Sequence, residues 1–202
     1  PLKTHNKAVG YILFDNLYSQ YQIPESYLYM LSPLCSQFAA TIDNIHLIQD
    51  IQRAAQRDKL TDLYNRACFE AMLVQMDIEE NYPLSFIIGD VNGLKITNDI
   101  FGHFEGDMIL KETANLLKSV CRREDIIARW GGDEYVLLLP KTNEKRAEAV
   151  IQAVKQKCRE ATGTKIQLSI SMGCAVKKSR SADMQVVMKK AEERMYRNKL
   201  LE

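Results

Sequence analysis

Three acidic residues in this sequence could together perform phosphoryl-transfer chemistry. Asp90 lies near the end of an apolar run of strand length, and Asp133 and Glu134 follow a Gly131-Gly132 pair that separates two further apolar runs. If the three runs share one sheet, the carboxylates meet at its edge, where their repulsion favours a hard divalent cation such as Mg²⁺ or Mn²⁺. Two such ions could activate a hydroxyl nucleophile and neutralise a leaving phosphate. The alternative interpretation is a tight glycine turn flanked by solvated surface acids.

A phosphate-binding turn follows the first apolar run directly. Asn92, Gly93 and Leu94 lead into Lys95, and free backbone N–H groups at the start of a helix can bind phosphate oxygens. A single glycine after a strand is weak evidence by itself, because loops use glycine routinely. Together with the acids, the turn favours a site for a phosphorylated ligand at this end of the sheet.

The elements that must position these residues follow from hydrophobic patterning. Residues 84–91 form a nearly unbroken apolar run, which is typical of a strand buried on both faces. The patterns predict three further strands, at 126–130, 135–139 and 166–176, and four helices, at 66–81, 107–122, 144–161 and 183–200. The core order is β-α-β-β-α-β with an extra helix at each end. This order predicts an α/β (α+β) fold of the ferredoxin-like or palm kind, in which helices cover the sheet.

The predicted topology brings the acids together. In a ferredoxin-like sheet the second strand runs parallel to the first, and the third strand pairs antiparallel beside the first. The hairpin between the second and third strands therefore lies at the same end of the sheet as the C-terminus of the first strand. Asp90, Asp133 and Glu134 are expected to meet there.

The first 57 residues have a different pattern. A strand-like run at 8–14 precedes a polar loop and a long helical pattern at 25–57, in which Ser32-Pro33 marks either a fresh start or a kink. A strand and a helix cannot close a core of ordinary size, so residues 1–47 are predicted to be the end of a larger domain. The helix is equally consistent with packing on its own domain and with a dimerising linker. Its apolar residues recur near the coiled-coil spacing, at Phe38, Ile42, Ile45, Ile48, Ile51 and Ala55.

Composition excludes several classes of protein. The chain has 202 residues, of which 46% are hydrophobic and 26% charged, as in folded globular domains. Its 27 Lys and Arg against 26 Asp and Glu give a net charge of +1, which provides no global field for nucleic acid or an anionic membrane. Five scattered cysteines without a CxxC pair indicate a reducing, cytoplasmic location. No apolar run approaches the roughly 20 residues of a membrane span.

Several motifs together resemble one family. Residues 129–135, RWGGDEY, closely resemble the signature of the GGDEF family of diguanylate cyclases, with Tyr135 in place of the final Phe. Residues 58–66 are similar to its DxLTGLxNR opening, with Asp62 in place of the usual Gly. Residues 90–107 are similar to its DxDxFKxxND and FGHxxGD run, and residues 191–199 to its closing ADxAMYxAK helix. The resemblance covers residues 58–202. Residues 48–57 would then be a helical linker, and residues 1–47 resemble, more weakly, the C-terminal part of a GAF-like sensor domain.

The resemblance implies a diguanylate cyclase. Such an enzyme condenses two GTP into cyclic di-GMP with release of two pyrophosphates, and works as a homodimer with one GTP per subunit in bacterial second-messenger signalling. The resemblance also implies that Asp90, the Val91 carbonyl and Glu134 hold Mg²⁺ or Mn²⁺. Asp133 would either join this metal shell or act as the base that removes the hydroxyl proton. The implied contacts with GTP are those of Gly93, Leu94, Lys95 and Arg197 with phosphates, His103 near the ribose, and Asn98 and Asp107 with guanine.

Asp107 has a chemical reason to select guanine. Guanine presents N1–H and an exocyclic N–H₂ side by side, which one carboxylate can accept together, whereas adenine offers an acceptor at N1. The simpler interpretation of Asp107 is the N-cap of the predicted helix at 107–122.

Arg122 and Asp125 match the family's RxxD inhibitory site, with the correct spacing before the hairpin. The resemblance implies that they bind cyclic di-GMP. The simpler interpretation is an arginine at a helix end, where the helix dipole favours a cation, followed by a surface acid.

Two other functions are compatible with the sequence. A non-catalytic module that binds GTP or cyclic di-GMP is left open by Asp62 and by Glu193, which stands where the family often has Lys. A related nucleotidyl cyclase or polymerase palm with another product is disfavoured by Asn98 and Asp107. No nucleic-acid or membrane partner is expected for this chain.

Overall fold

The computed structural model describes residues 1–4, 7–13, 24–162 and 165–201. The chain divides into two compact units, Pro1–Ala55 and Gln56–Glu202. In the first unit, a two-stranded antiparallel sheet of β1 (Leu2–Thr4) and β2 (Lys7–Gly10) precedes the helix α1 (Glu25–Gln56). The predicted long helix is confirmed, and it is continuous through Pro33. The strand predicted at 8–14 ends at Gly10, and residue 14 lies outside the described residues.

The second unit is built on a five-stranded mixed sheet with the strand order β3-β5-β6-β4-β7. β4 (Leu84–Val91) pairs antiparallel with β6 (Glu134–Leu139) on one side and with β7 (Ile170–Lys177) on the other. β5 (Ile126–Arg129) pairs antiparallel with β6, and the short β3 (Tyr64–Asn65) extends the sheet beside β5. The four predicted strands and their ferredoxin-like order are confirmed.

Helices cover both faces of this sheet. They are α2 (Arg66–Met76), α3 (Leu94–Phe101), α4 (His103–Val120), α5 (Glu144–Glu160) and α6 (Met184–Lys199). Because successive strand side chains point to opposite faces, β4 contributes Ile87 to one core and Phe86 to the other. The first core also contains Ile109, Leu117 and Val154 of α4 and α5, and the second contains Phe69, Val187 and Ala191 of α2 and α6.

The helix predicted at 107–122 begins earlier, at His103. The cause is Gly102, whose φ of 84° lies in the left-handed region and whose N–H donates to the carbonyl of Asn98 over 3.0 Å. Gly102 therefore ends α3 and turns the chain into α4. Asp107 lies in the second turn of α4, so the prediction that it is the N-cap was wrong.

Two other boundaries differ from the predictions. The helix predicted at 66–81 ends at Met76, where Asp77 is the C-cap and its N–H donates to Leu73, and a 3₁₀ turn at Glu79–Asn81 follows. The strand predicted at 166–176 begins later, at Ile170, although the carbonyl of the preceding Ser169 still accepts a hydrogen bond from the backbone N–H of Asn92.

Thiol chemistry and hydropathy place few constraints on function. All five cysteines are free. Within the described ranges, no helix combines the length and the apolar character needed to cross a bilayer. The cytoplasmic location stays a prediction.

Candidate active site

The C-terminal end of β4 lies beside the start of β6. Asp90 and Glu134 are partners in the ladder between these strands, and the Val91 N–H donates to the carbonyl of Asp133 over 3.0 Å. Three acids that are distant in sequence are therefore neighbours along one end of the sheet, as the topology predicts. Asp90, Asp133 and Glu134 are termed the carboxylate edge below.

The three carboxylates do not converge on a single point. Among the residues that the structure describes, no group of three or more His, Cys, Asp and Glu side chains is arranged to hold one metal ion. Instead, the ammonium group of Lys199, at the end of α6, donates to Asp90 Oδ1 over 2.6 Å. These two residues are 109 positions apart, so no local spacing indicates their pairing.

Electrostatics at the carboxylate edge disfavour the ionised form of Glu134. Partial burial raises the pKa of Glu134, and the negative charges of Asp133, Asp90 and Glu192 raise it further. The hydrogen bond to Asp90 raises the pKa of Lys199, which keeps this ammonium group charged. The edge therefore carries an excess of negative charge that Lys199 offsets only in part, and an excess of this kind attracts a divalent cation.

Arg129 fixes the turn that precedes Glu134. Its guanidinium donates to the carbonyl of Gly132 over 2.6 Å and to the carboxylate of Asp58 over 3.1 Å, and only 15% of its side chain is exposed. Burial favours a higher pKa for Asp58, but hydrogen bonds from Thr61 and Arg129 outweigh burial and lower this pKa. The ion pair joins the two motifs at 58–66 and 129–135. The sequence did not predict this ion pair, although each of its two residues stands in a recognised motif.

The turn after β4 has the form expected for a phosphate site. Gly93 is the N-cap of α3, and its carbonyl accepts hydrogen bonds from the backbone N–H and the hydroxyl of Thr97, both over 2.9 Å. The N–H groups of the first helical turn, which include those of Leu94 and Lys95, have no acceptor within the helix. Leu94 and Lys95 lie three and four residues after Val91, close to the carboxylate edge in the chain.

Asn92 stabilises this turn from the other side. Its amide N–H₂ donates to the hydroxyl oxygens of Ser169 and Ser171, each over 2.9 Å, and its Oδ1 accepts from Ser171 over 3.0 Å. Asn92 stands at the second acidic position of the family's DxDxFK run. Its side chain is engaged with β7 and the segment before it, so its role here is to anchor the turn.

Asn98 and Asp107 lie on adjacent helices. Asn98 belongs to α3, and its side chain contacts Gly106, the residue before Asp107 on α4. Asn98 Oδ1 is buried and, within the described part of the chain, has no hydrogen-bond partner. Asp107 is exposed, as is His103 at the first position of α4. The structure thus brings together the two residues predicted to contact guanine, which are termed the base-reading pair below.

A cavity of about 720 Å³ opens at the carboxylate edge. Asp90, Glu134 and Lys199 line it, together with a wall of α6 that includes Arg197 and Glu193. Arg197, predicted to contact phosphate, therefore shares a cavity with the acids. Glu193, which stands where the family often has Lys, lies in the same wall and adds a negative charge to it. The volume is within the usual range for a small-molecule site.

The RxxD residues are joined through the backbone. The Asp125 carboxylate accepts a hydrogen bond from the backbone N–H of Arg122 over 2.7 Å, and the Arg122 guanidinium lies 3.6 Å from Glu124. Burial raises the pKa of Asp125 more than the backbone hydrogen bond from Arg122 and the positive charge of Arg122 lower it. Asp125 therefore closes the turn between α4 and β5, and it does not pair with the Arg122 side chain.

The fold is a helix-covered, ferredoxin-like sheet, and comparison with known proteins identifies the family. The family model described as "Diguanylate cyclase, GGDEF domain" matches residues 55–201. The chain belongs to the GGDEF family.

Individual relatives agree with this assignment. Diguanylate cyclase A of Treponema denticola is 27% identical over 210 residues, covering 98% of this chain and 56% of the relative. Diguanylate cyclase DgcM of Escherichia coli K12 is 29% identical over 159 residues, covering 76% of this chain and 38% of the relative. This chain thus spans about half, or less, of the length of these relatives.

Solved structures share the fold. The coiled coil and GGDEF domain of DgcB from Caulobacter crescentus, in complex with c-di-GMP, superposes with a TM-score of 0.73 at 20% identity. The match covers 84% of this chain and 94% of that one. The mixed α/β architecture with a long N-terminal helix is therefore that of a GGDEF structure.

Proposed function

We propose that this chain is a diguanylate cyclase, which condenses two GTP into cyclic di-GMP with release of two pyrophosphates. The observation that carries the proposal is the pairing of Asp90 with Glu134 at one end of the sheet, in a cavity that Lys199 and Arg197 also line. Carboxylates that could bind a metal cation and cationic side chains that could bind a triphosphate therefore line the same cavity. Membership of the GGDEF family supports the same reaction.

The carboxylate edge has suitable ligands for Mg²⁺ or Mn²⁺. Asp90, Glu134 and the Val91 carbonyl supply hard oxygen atoms, and Mg²⁺ in proteins commonly takes one or two carboxylates together with water and substrate phosphates. Burial, and after it the negative charges of Asp133, Asp90 and Glu192, raise the pKa of Glu134, and such an ion would neutralise this excess of negative charge. When bound, the ion would offset phosphate charge and make the attacking hydroxyl more acidic. Asp133 would either join the ion's ligands or accept the hydroxyl proton.

The chain's own cations and N–H donors would bind the triphosphate. The N–H groups of Gly93, Leu94 and Lys95 would donate hydrogen bonds to phosphate oxygens at the start of α3, where the helix dipole favours negative charge. Arg197 would contact phosphate from α6. Lys199 already lies at Asp90, so it adds a positive charge where the phosphate and the carboxylates would approach each other.

The base-reading pair would select guanine. The exposed Asp107 carboxylate can accept from guanine N1–H and N2–H₂ together, and adenine would leave this charge without a donor at N1. Asn98 lies beside it through its contact with Gly106. His103, exposed at the start of α4, would lie near the ribose.

Turnover would need two chains, because one domain binds one GTP and the two nucleotides must face each other for attack. We propose that α1 holds the chains together: Ile45 and Ile48 are 48% and 54% exposed, and Phe38 and Ile51 are also exposed. Residues 1–47 would then end a GAF-like sensor domain and residues 48–57 would form the linker to the catalytic domain at 58–202.

If α1 holds two chains together, specific activity should rise with protein concentration, and the substitutions Ile45→Glu and Ile48→Glu should lower specific activity. A specific activity that stays constant on dilution would contradict this assembly.

Arg122 and Asp125 would bind the product cyclic di-GMP and inhibit the enzyme. The Arg122 guanidinium suits a phosphate or the Hoogsteen edge of guanine. In Arg122→Ala, inhibition by added cyclic di-GMP should be lost while turnover of GTP persists. Unchanged inhibition in this variant would show that the Arg122 side chain does not bind the product.

The experiment that tests the function is product identification. The purified chain is incubated with GTP and Mg²⁺, and nucleotides are identified by mass spectrometry, with ATP and with EDTA as controls. Glu193, an acid in the substrate cavity, favours a second candidate: a module that binds GTP without turning it over. Cyclic di-GMP formation supports the enzyme, and GTP binding without any product supports the module.

A further inference from the structure

Gly106 is a point of close approach between α3 and α4. It is buried in α4, and a Cβ atom added to it would overlap Asn98 Oδ1 and lie 2.9 Å from Asn98 Cγ and 3.3 Å from Leu94 Cδ1. Real Cβ atoms essentially never approach an oxygen so closely, so any other residue here would displace the Asn98 amide. Only glycine lets this amide lie against the backbone of α4.

The two polar atoms of the Asn98 side chain, Oδ1 and Nδ2, lie in different surroundings. Its Oδ1 is buried and, as far as the described residues extend, unpaired. Asn98 as a whole is only half-buried, and its Nδ2, unlike its Oδ1, is not among the buried atoms that lack a hydrogen-bond partner. The oxygen therefore faces α4 and the N–H₂ faces outward. Because buried polar atoms are nearly always paired, an unpaired one in a folded protein calls for an explanation in function or in strain.

We propose that Gly106 is a positioning residue for base selection. By admitting Asn98 Oδ1 against α4, it presents Asn98 Nδ2 outward as a hydrogen-bond donor beside the acceptor Asp107. This inference rests on the proposed function, since it assumes that the base-reading pair binds guanine. It adds which atom of Asn98 faces the base and which residue sets that orientation.

A donor beside an acceptor matches one purine. Guanine carries an acceptor at O6 next to donors at N1 and N2, so Asn98 Nδ2 can donate to O6 while Asp107 accepts from N1–H and N2–H₂. Adenine has a donor where guanine has O6 and an acceptor where guanine has N1–H. If the Asn98 amide were reversed, its oxygen would face O6 and repel it. The orientation set by Gly106 therefore raises the number of guanine contacts that adenine cannot make from two to three.

The test compares wild type, Gly106→Ala, Asn98→Ala and the double variant. Binding of GTP is measured against ITP, which lacks the N2 amine, and against a GTP analogue with sulfur at position 6, which weakens the acceptor that Asn98 uses. In wild type, both analogues should bind more weakly than GTP. In Gly106→Ala, GTP binding should weaken about three- to tenfold, the loss of one hydrogen bond. The preference for GTP over the sulfur analogue should disappear, while the preference over ITP, which depends on Asp107, should persist.

The double variant separates positioning from folding. Removing the Asn98 side chain removes the overlap, so the double variant should melt at a higher temperature than Gly106→Ala but bind the nucleotides like Asn98→Ala. Unchanged GTP affinity and an unchanged sulfur-analogue ratio in Gly106→Ala would overturn the inference. If Gly106→Ala does not fold, equal sulfur-analogue ratios in wild type and Asn98→Ala would overturn it. Wild-type protein that does not bind GTP would instead contradict the proposed function.

Discussion

The carboxylate edge and the base-reading pair differ in how far their polar groups are paired within the protein. At the edge, one of the three acids has a charged partner within the protein, because Lys199 binds Asp90, and next to the edge Arg129 binds Asp58 and the carbonyl of Gly132. In the base-reading pair, Asn98 Oδ1 is buried without a described partner and Asp107 is exposed. One region is neutralised in part before any ligand binds, and the other offers unused hydrogen-bonding groups.

The difference follows from the strength of the interactions involved. Carboxylates that are close together repel strongly and over a distance, so the folded protein must offset their charge even without a ligand. An unsatisfied amide oxygen destabilises by about 1–3 kcal/mol, which one domain can tolerate at a single position. We infer that the carboxylate edge governs turnover and that the base-reading pair governs selection.

The largest effect is expected at Glu134. Glu134→Gln should lower product formation by about 10³-fold or more, because it removes a charged ligand from the cation site. The pKa of Glu134 is raised in the folded state, so its ionised form destabilises the metal-free protein at neutral pH, and the variant should melt at a higher temperature without metal. Glu192→Gln, which alters another acid of the same cavity, is the control and should retain turnover. Wild-type turnover by Glu134→Gln would end the assignment of a cation site to this edge.

The next effect concerns selection alone. Asp107→Asn should reduce the preference for GTP over ATP by about 10- to 100-fold, the range for one bidentate contact to a base. Since Asp107 is exposed, the variant should melt like wild type. Competition binding of GTP and ATP measures the ratio. A large loss of thermal stability in this variant would contradict the separation between the two regions.

Lys199→Ala should weaken GTP binding by about tenfold, an effect intermediate between the loss of a neutral contact and the loss of a charged one. The variant leaves Asp90 without its ammonium partner, so its thermal stability should depend more strongly on bound Mg²⁺ than that of the wild type. Lys190→Ala, on the same helix but outside the residues lining the cavity, is the matched control. Equal GTP affinities in the two variants would show that Lys199 does not serve the substrate site.

Cation affinity should depend on pH through Glu134. Protons compete with the cation for this carboxylate, and because its pKa is raised, affinity should begin to fall at a higher pH than for an ordinary glutamate. The metal-free protein should behave in the opposite way. The folded state binds more protons than the unfolded state between the ordinary and the raised pKa, so metal-free stability should decrease as pH rises through that window. Mg²⁺ titrations across pH measure the cation affinity, and thermal melts without metal across the same range measure the stability. Both are repeated on Glu134→Gln, and pH profiles identical to those of the wild type would contradict the role of Glu134.

The smallest effect is expected at Asp62, which belongs to neither region. Its φ of 55° lies in the left-handed region, which accounts for the glycine that the family usually has there. Asp62→Gly should therefore stabilise the fold, by up to about 1 kcal/mol. Lys141→Gly, at the other non-glycine residue with positive φ among those described, is the control for the backbone effect. A gain of cyclase activity in Asp62→Gly would show that this departure from the family limits catalysis.

The two regions also differ in how far the sequence could predict them. The unbroken apolar run predicted β4 with correct ends, and topology then placed Asp90 beside Glu134. The pairing of Lys199 with Asp90 was not predictable, because it depends on where the last turn of α6 lies over the sheet. The break at Gly102 was missed because hydrophobic spacing does not report a single positive φ. For the same reason, Asp107 was predicted to be an N-cap.

The most direct test of this account is the stoichiometry of the reaction. Wild-type chain and Glu134→Gln are incubated with GTP and Mg²⁺ under matched conditions, and cyclic di-GMP and pyrophosphate are quantified together. We expect two pyrophosphates for each cyclic di-GMP from the wild type and neither product from the variant. Pyrophosphate release without cyclic di-GMP, or equal product from both proteins, would contradict the assignment of cyclic di-GMP synthesis to the carboxylate edge.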